Sequence, residues 1–347
     1  MEKPLKNENG KYESLPKVEL HRHLEGSLRV STLIDIARKH SITVPTELLQ
    51  LNRLVQVQQE EQPYNFQNFL AKFNTLRLFY RSPDVIERVT SEAIEDASKD
   101  NVKYMELRFT PVALSRAERF PLADVVDWVC SSARDASKKF GVMIRLIASV
   151  NRNESPELAE QVAWLAAERI DRGLAGLDLA GNEAEFPAEP FISIFREAKQ
   201  AGLKVAVHAG EWGGAANVRQ AIEQFNADRI GHGVRVMEDD FTVSLARTRQ
   251  TCFEVCITSN YQTGVVKDLN EHPLKKMIDA GLNVTINTDD PSISQITLSH
   301  EYKVAEEKLG ISTETVHNCI LAAAQASFLP EAEKKKLVDS LKKGLKP

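Results

Sequence analysis

Short runs of apolar, often β-branched residues alternate along the chain with longer segments whose apolar positions recur at helical spacing. Short apolar runs are typical of buried strands, and their alternation with helices is typical of a parallel sheet built from β-α units. The pattern predicts eight strands, at residues 17–21, 102–109, 142–150, 174–181, 203–210, 229–233, 252–259 and 282–289.

The segments between these strands carry helix signals. Residues 83–100 begin with Pro83 and repeat apolar side chains at helical spacing. Residues 155–173 have a serine cap, a proline in the first turn and a glycine at the exit, and residues 189–202 have the same apolar period. Each of these segments is predicted to be a helix.

Eight strands in this order predict an α/β protein that closes into a (β/α)8 TIM barrel. An open, doubly wound sheet is the alternative, but it usually has a glycine-rich phosphate loop, and neither GxGxxG nor GxxxxGK occurs in the sequence. We expect a single barrel domain over residues 1–347, with extra helices after the first strand and at the C-terminus.

The chain is longer than the roughly 250 residues of a typical barrel, and the surplus lies mainly between the first two strands. We predict a helical insert over residues 29–100. Within this insert, Phe69 and Phe73 belong to an aromatic stripe whose simplest interpretation is core packing. Because the insert leaves the end of the first strand, part of it is also expected to form an apolar lid that contacts substrate. The polar residues 1–14 are expected to form a poorly ordered tail.

Composition excludes several classes of partner. The chain is 42% hydrophobic and 27% charged, with a formal net charge of -5, so it has no basic excess to bind nucleic acid. No segment approaches the roughly 20 apolar residues that span a bilayer, and the N-terminus is polar, which predicts a cytoplasmic protein. The four cysteines have no CxxC spacing and are expected to be reduced core residues.

Residues with ligand or acid-base chemistry stand at the ends of predicted strands. His21 and His23 alternate along the first strand, so their side chains share a face. The others are Gly181 at the end of the fourth strand, His208 and Glu211 in 207-VHAGEWGG-214 at the end of the fifth, His232 at the end of the sixth, and Asp289 and Asp290 at the end of the eighth. Each of these residues, taken alone, could belong to a turn, a helix cap or a polar strand end. In a barrel, however, the carboxyl ends of all the strands meet at one rim. We expect one site there, and interpret the remaining histidines, including His272, as surface or capping residues.

Six ordered motifs carry a resemblance to a known family: 17-KVELHRHLEGSL-28, 176-GLDLAGNE-183, 207-VHAGE-211, 231-GHG-233, 259-SNYQTGVV-266 with 271-EHPL-274, and 284-VTINTDDP-291. With them the chain resembles the adenosine deaminase family of the amidohydrolase superfamily over nearly its whole length. The resemblance implies one bound zinc, with His21, His23, His208 and Asp289 as its ligands. It also implies that Glu211 serves purine N1, His232 the attacking water, and Asp290 and the Gly181 backbone the ring nitrogens N7 and N3.

The chemistry suits these residue types. Imidazoles and a carboxylate suit zinc, which lowers the pKa of a bound water from about 15.7 toward about 7. A protonated Glu211 can then deliver its proton to N1 as the amino group is lost as ammonia. Related two-metal amidohydrolases use a lysine at the end of the fourth or fifth strand, and its absence here predicts a single metal. The identity of the metal and the oligomeric state stay open at this stage.

The substrate prediction depends on Glu25 in 23-HLEGS-27. Familiar adenosine deaminases carry Asp there, against the ribose 5'-hydroxyl, whereas adenine and aminodeoxyfutalosine deaminases often carry Glu. The segment 259–266 resembles the nucleoside enzymes, so adenosine and 2'-deoxyadenosine are the predicted substrates, with Glu25 on the sugar. Adenine or aminodeoxyfutalosine is the alternative, and a non-catalytic binding protein on the same scaffold is a remote one. A cytidine-deaminase-type site needs a PCxxC pair, which the sequence lacks.

Overall fold

The structure is a computed structural model that describes residues 10–345. Over this range eight parallel strands form one sheet in chain order, which confirms the predicted (β/α)8 barrel. The strands are β1 (Lys17–His23), β2 (Val102–Phe109), β3 (Met143–Asn151), β4 (Leu174–Ala180), β5 (Lys204–Ala209), β6 (Arg229–His232), β7 (Cys252–Val255) and β8 (Asn283–Ile286).

The barrel closes through a short contact between its first strand and the chain after its last. The backbone N–H of His23 donates to the carbonyl of Asp289 at 2.8 Å, and the N–H of Asp289 donates to the carbonyl of His21 at 2.9 Å. This closure holds the histidines of β1 and the carboxylate of Asp289 on one part of the rim.

Helices surround the sheet, and further helices precede its first strand and follow its last. They are α1 (Lys11–Ser14), α2 (Val30–Lys39), α3 (Leu48–Val55), α4 (Phe66–Leu76), α5 (Pro83–Lys99), α6 (Pro111–Ser115), α7 (Leu122–Phe140), α8 (Pro156–Ala167), α9 (Ile192–Gln200), α10 (Ala215–Glu223), α11 (Asp240–Arg249), α12 (Ile257–Gln262), α13 (Leu274–Asp279), α14 (Pro291–Ser294), α15 (Leu298–Glu307), α16 (Thr313–Ala326) and α17 (Glu331–Gly344). Across residues 10–345, none of them is both long and apolar enough to cross a membrane.

The helices α2 to α5 lie between β1 and β2, where extra helices are predicted. Local signals begin two of them: the side chain of Asn65 accepts from the N–H of Asn68 at the start of α4, and Ser82 caps α5 just before its first-turn proline. Helices α15 to α17 supply the predicted C-terminal extension.

Several predicted boundaries are wrong. The strand predicted over 252–259 ends at Val255 because α12 begins at Ile257, and the strand predicted over 282–289 ends at Ile286. The helix predicted over 155–173 ends at Ala167 and is followed by a short 3₁₀ turn. Apolar runs do not mark where a strand gives way to the loop that carries a site.

The predicted N-terminal tail is only partly covered by the structure. Residues 1–9 lie outside the described residues. Residues Lys11–Ser14 form α1, where Tyr12 is buried and its hydroxyl donates to Glu306 in α15 at 3.1 Å. This turn therefore packs on the C-terminal helices, contrary to the expectation of disorder for residues 11–14.

Charged side chains fill the interior of the barrel beneath its rim. Arg229 donates to both Glu106 and Glu254, and Arg108 donates to Glu254 at 2.7 Å. All four side chains are fully buried. The four cysteines are free and buried, as predicted.

Candidate active site

Five histidine and aspartate side chains meet at the carboxyl end of the barrel. His21 and His23 lie in β1, His208 in β5 and His232 at the end of β6, and Asp289 follows β8. The ring centroid of His21 is 5.3 Å from that of His23, 4.7 Å from His208 and 4.8 Å from His232. The structure thus brings together the residues that the strand ends place on one rim.

Two of these residues have a backbone conformation that is rare for their type. His232 has a φ of 58° and Asp289 a φ of 67°, in the left-handed region that favours glycine. Strained conformations of this kind cluster at functional sites, where the surrounding structure holds them. Here they turn both side chains inward at the strand ends.

The Asp289 carboxylate lies between the histidines. Its Oδ1 is 3.3 Å from Nε2 of His21 and 3.3 Å from Nε2 of His23, and its Oδ2 accepts from Ser259 at 2.7 Å. Burial alone would raise the pKa of Asp289, but the surrounding histidines, His21 first and then His232 and His23, hold that pKa well below its usual range. Asp289 is therefore an ionised carboxylate.

Buried carboxylates orient two of the histidines. Nδ1 of His21 bonds to Glu254 at 2.7 Å, and Nδ1 of His208 bonds to Asp178 at 3.0 Å. Arg108 lies between the two carboxylates, 2.7 Å from Glu254 and 3.3 Å from Asp178. Each carboxylate can accept a hydrogen bond from Nδ1–H, and in the neutral form of each ring Nε2 then keeps a lone pair that is free for a ligand in the site.

The donor set fits a metal ion. One ligand atom from each of His21, His208, His232 and Asp289 lies within 4.8 Å of the others, and His23 also approaches Asp289 closely. Nε2 of His21 is buried and has no hydrogen-bond partner among the described residues. Neutral imidazoles backed by carboxylates, together with one carboxylate ligand, are typical of transition-metal sites. The site could hold a metal.

Glu211 is a buried carboxyl group beside this cluster. Its Oε2 is 3.5 Å from Nε2 of His232, and its Oε1 is 3.5 Å from the Thr263 hydroxyl. Burial, followed by the charges of Asp289 and Glu183, raises the pKa of Glu211 well above its usual range. Glu211 therefore retains a proton at a pH where an exposed glutamate has lost it.

The loop that carries Glu211 is held by a residue whose role the sequence did not indicate. The Glu183 carboxylate accepts from the backbone N–H of Gly210 at 3.1 Å, of Glu211 at 2.6 Å and of Gly213 at 2.8 Å. A carboxylate that accepts several backbone N–H groups fixes the path of the chain. Glu183 lies within 176-GLDLAGNE-183, so its motif was visible but its partners were not.

A pocket opens onto the cluster, and its wall contains ten of the eleven predicted site residues. They are His23, Glu25, Phe69, Phe73, Gly181, His208, Glu211, His232, Asp289 and Asp290. His21 lies behind this wall, fully buried. Sequence reasoning missed other lining residues, namely Leu70, Arg77, Thr110, Asn151, Ala180, Trp212 and Thr263.

Asp290 and Glu25 present unsatisfied oxygens to the pocket. Oδ1 of Asp290 and Oε2 of Glu25 are buried and have no hydrogen-bond partner among the described residues, whereas Oε1 of Glu25 accepts from the N–H of Thr110 at 2.7 Å. Burial, with the charges of Asp289 and Glu25, raises the pKa of Asp290 well above its usual range. A Cβ on Gly26 would lie 1.8 Å from Oδ1 of Asp290, so only glycine fits there.

Aromatic residues of the insert cover the pocket. Phe66, at the start of α4, stacks on Trp212 of the β5 loop with ring centroids 4.9 Å apart, and Tyr64 packs edge-on against Tyr261 of α12 at 5.2 Å. Phe69, which lines the pocket, also belongs to the hydrophobic core and has a relative exposure of only 3%. It therefore serves both the packing and the lining that the sequence suggested.

His272 differs from its prediction as a surface or capping residue. It does accept from the N–H of Leu274 at the start of α13, but it is buried, and burial lowers its pKa to about 3. Its Nε2 is 3.2 Å from Oδ1 of Asn260, and Nδ2 of Asn260 is 3.1 Å from Nδ1 of His232. His272 is thus connected to the site through one side chain.

Comparison with known sequences matches this chain over nearly its full length. A family model described as Adenosine deaminase matches residues 16–344. The chain is 37% identical to the adenosine deaminase of Klebsiella pneumoniae over 333 residues, which cover 95% of this chain and 99% of that protein. It is 36% identical to the adenosine deaminase of Salmonella typhimurium over 326 residues, which cover 93% and 97%.

Solved structures with the same fold include three that bear on the site. An adenine deaminase from Arthrobacter aurescens has a TM-score of 0.88 and 27% identity, covering 96% of this chain and 100% of that one. A Burkholderia ambifaria amidohydrolase with bound Zn has a TM-score of 0.87 and 25% identity, covering 99% and 96%. Arabidopsis ADAL complexed with IMP has a TM-score of 0.86 and 26% identity, covering 97% and 98%.

Proposed function

Because this chain belongs to the adenosine deaminase family, we propose that it hydrolyses adenosine and 2'-deoxyadenosine to inosine and 2'-deoxyinosine with release of ammonia. The observation that carries the proposal is Glu211, a buried acid with a raised pKa on the same pocket wall as the histidine and aspartate cluster. Replacing a purine 6-amino group by oxygen needs both an acid near N1 and an activated water. This wall combines the groups for both.

The proposed metal is one zinc ion per chain, held by His21, His23, His208 and Asp289. Support comes from the unpartnered Nε2 of His21, the ionised Asp289 and the zinc bound in a similar amidohydrolase. When bound, zinc lowers the pKa of a water ligand and so supplies hydroxide near neutral pH.

Glu211 is proposed to donate its proton to purine N1. Addition of oxygen at C6 converts the C6–N1 double bond to a single bond and places negative charge on N1. A protonated carboxyl group at that position transfers its proton there. The amino group then takes up the proton of the added C6 hydroxyl, the C6–N bond breaks to release ammonia, and C6 becomes the carbonyl carbon of the product. The raised pKa of Glu211 keeps the required proton available before the reaction begins.

Asp290 and Gly181 are proposed to orient the base. With its pKa raised by burial and neighbouring carboxylates, Asp290 holds a proton that it can donate to N7, which only accepts. The Gly181 backbone is assigned to N3. It has a φ of 90°, and a Cβ there would lie 3.1 Å from the backbone nitrogen of Arg152. Both residues line the pocket.

Glu25, Phe69 and Phe73 complete the proposed substrate contacts. Since Oε1 of Glu25 is occupied by the Thr110 N–H, its unpartnered Oε2 is available to a sugar hydroxyl. The two phenylalanines line the pocket from α4 and present apolar rings to a bound base. A place in cytoplasmic purine salvage follows from the proposed reaction and stays a prediction.

Metal dependence is tested by removing one ligand. His208→Ala is expected to lose most of the bound zinc and the activity together, because the remaining three ligands bind the ion more weakly. Metal content by plasma mass spectrometry and deamination rate are the measurements. His300→Ala, at an exposed histidine of α15, is the control and should retain both. Full activity in wild-type protein stripped of metal would contradict the zinc proposal.

Substrate choice is tested by an ultraviolet assay of the purified protein, since deamination shifts the absorbance of the purine. Adenosine and 2'-deoxyadenosine should react with a higher kcat/KM than adenine, adenosine monophosphate or aminodeoxyfutalosine. Preference for adenine would favour the alternative that the similar adenine deaminase structure supports. Zinc-loaded protein that binds adenosine without converting it would indicate a non-catalytic binding protein.

A further inference from the structure

Three buried side chains form a chain of hydrogen bonds that leads out of the site. Nδ1 of His232 is 3.1 Å from Nδ2 of Asn260, and Oδ1 of Asn260 is 3.2 Å from Nε2 of His272. The chain ends at the backbone N–H of Leu274, which donates to Nδ1 of His272 at 3.1 Å. The exposed fractions of His232, Asn260 and His272 are 1%, 0% and 4%.

The backbone group fixes the direction of every bond in this chain. A backbone N–H only donates, so Nδ1 of His272 carries no proton, and the single proton of this neutral ring is on Nε2. Nε2 of His272 therefore donates to Asn260, whose amide nitrogen must then face His232 and donate to Nδ1. Turning the Asn260 amide around would leave His272 without a proton on either nitrogen, which a neutral imidazole does not allow.

We propose that Asn260 and His272 are positioning residues that hold neutral His232 in the tautomer with its proton on Nε2. That proton points into the site, where Nε2 lies 3.5 Å from Glu211 and 3.9 Å from Asp289. His232 is then a hydrogen-bond donor there and has no free Nε2 lone pair. It follows that His23, which approaches the same carboxylate, completes the ligand set in place of His232.

The consequence for catalysis rests on the proposed function. A donor at Nε2 stabilises negative charge on the oxygen that adds to purine C6, whereas a ring with a free Nε2 would instead remove a proton from water. Two backbone hydrogen bonds fix the position of Asn260. Its N–H donates to the carbonyl of Cys256 at 2.9 Å, and its carbonyl accepts from the N–H of Val266 at 2.9 Å.

The tautomer can be measured without substrate. Two-bond ¹H–¹⁵N correlation spectra of zinc-loaded protein labelled at histidine distinguish protonated from unprotonated ring nitrogens, and the His232 signals are identified by their loss in His232→Gln. We expect Nε2 of His232 to be protonated and Nδ1 unprotonated. The reverse pattern would overturn the inference even if the protein deaminates adenosine, and the expected pattern would support it even if adenosine is not the substrate.

A substitution at Asn260 tests the effect on turnover. Asn260→Asp keeps the shape, but a carboxylate only accepts, so Nδ1 of His232 becomes protonated. Because reversal of a histidine tautomer costs on the order of 10⁴ in kcat in serine proteases, we expect kcat here to fall by at least about a hundredfold, with a smaller change in KM. Asn318→Asp, exposed on α16, is the matched control. Wild-type kcat in a variant with the reversed tautomer would overturn the role.

His272 is tested by two replacements of similar size. His272→Gln retains an amide N–H that can donate to Asn260, whereas His272→Phe retains the ring volume without a donor. We expect His272→Gln to keep most of the wild-type kcat and the Nε2-protonated signal of His232. His272→Phe should lose part of both, because the Asn260 amide is no longer fixed in one direction. Equal spectra and equal kcat in the two variants would overturn the assignment of His272.

Discussion

Among the carboxyl groups of the pocket, surroundings rather than residue type determine the protonation state. Asp289 and Asp290 are adjacent in sequence, yet the histidines around the first lower its pKa, while burial beside other carboxylates raises that of the second. Glu211 resembles Asp290 in this respect. Separation of pKa values between neighbouring acids lets one group bind a cation while the others donate protons.

The role of Glu211 can be tested by removing its proton and keeping its shape. Glu211→Gln should lower kcat by on the order of a hundredfold or more, the usual contribution of a positioned acid, while zinc content stays near one per chain. Turnover of adenosine and metal analysis are the measurements. Glu185→Gln, an exposed glutamate near the same loop, should behave as wild type. Loss of zinc in Glu211→Gln would instead make Glu211 a ligand.

Glu25 provides a second test at the residue scale. A hydrogen bond to a charged group contributes about 1.5 to 3 kcal/mol, so Glu25→Ala should lower kcat/KM for adenosine by roughly ten- to more than a hundredfold. 5'-Deoxyadenosine lacks the hydroxyl that Oε2 is proposed to bind, so its kcat/KM should hardly change. Equal losses on both nucleosides would place Glu25 away from the 5'-hydroxyl.

At the scale of elements, α4 is attached to the barrel across the pocket. Phe66 stacks on Trp212 from the β5 loop, and the carbonyl of Tyr64 lies where a Cβ on Gly264 would be 2.4 Å away. Gly264 has a φ of 76°, so this close approach needs glycine for two reasons. The insert is therefore attached beside the pocket through contacts with the segments that follow β5 and α12 as well as through its own packing.

This attachment predicts that Phe66 affects substrate binding more than chemistry. An aromatic pair contributes about 0.5 to 1.5 kcal/mol beyond its buried area, so Phe66→Ala should raise KM for adenosine by roughly two- to tenfold with a smaller change in kcat. Steady-state kinetics measure both constants. Phe241→Ala, at a phenylalanine that is 59% exposed on α11, should change neither. An unchanged KM in Phe66→Ala would show that the stack does not contribute to substrate binding.

The strands and helices were more predictable from the sequence than the hydrogen-bond partners of the side chains they carry. All eight strands were found because each is an apolar run short enough for a buried strand. The clustering of the predicted site residues could be predicted because parallel strands in a barrel bring their ends to one rim. Nothing local indicates that His21 bonds to Glu254, 233 positions away, or that a buried His272 reaches the site through Asn260. Such partners depend on how distant strands come together, which residue patterns along the chain do not record.

At the scale of the molecule, the barrel interior couples the site to stability. Glu254 orients His21 and also accepts from Arg108 and Arg229, while Arg229 bonds to Glu106 as well. The guanidinium carbon of Arg229 also lies 3.4 Å from the ring centroid of Phe328, which follows α16. A single buried cation thus connects the carboxylate behind the histidine cluster to the C-terminal part of the chain.

Arg229→Met should therefore destabilise the whole barrel. Methionine fills a similar volume, but Glu106 and Glu254 would remain buried with one cation fewer, and breaking a buried ion pair on one side costs about 3–5 kcal/mol. The free energy of unfolding from urea titration should fall by that amount. Arg134→Met removes an arginine whose side chain is 61% exposed and paired only with Asp135 among the described ion pairs, so it should change stability by less than about 0.5 kcal/mol. If both variants unfolded at the same urea concentration, the interior charges would be dispensable, and the orientation of His21 by Glu254 would have to be maintained by Arg108 alone.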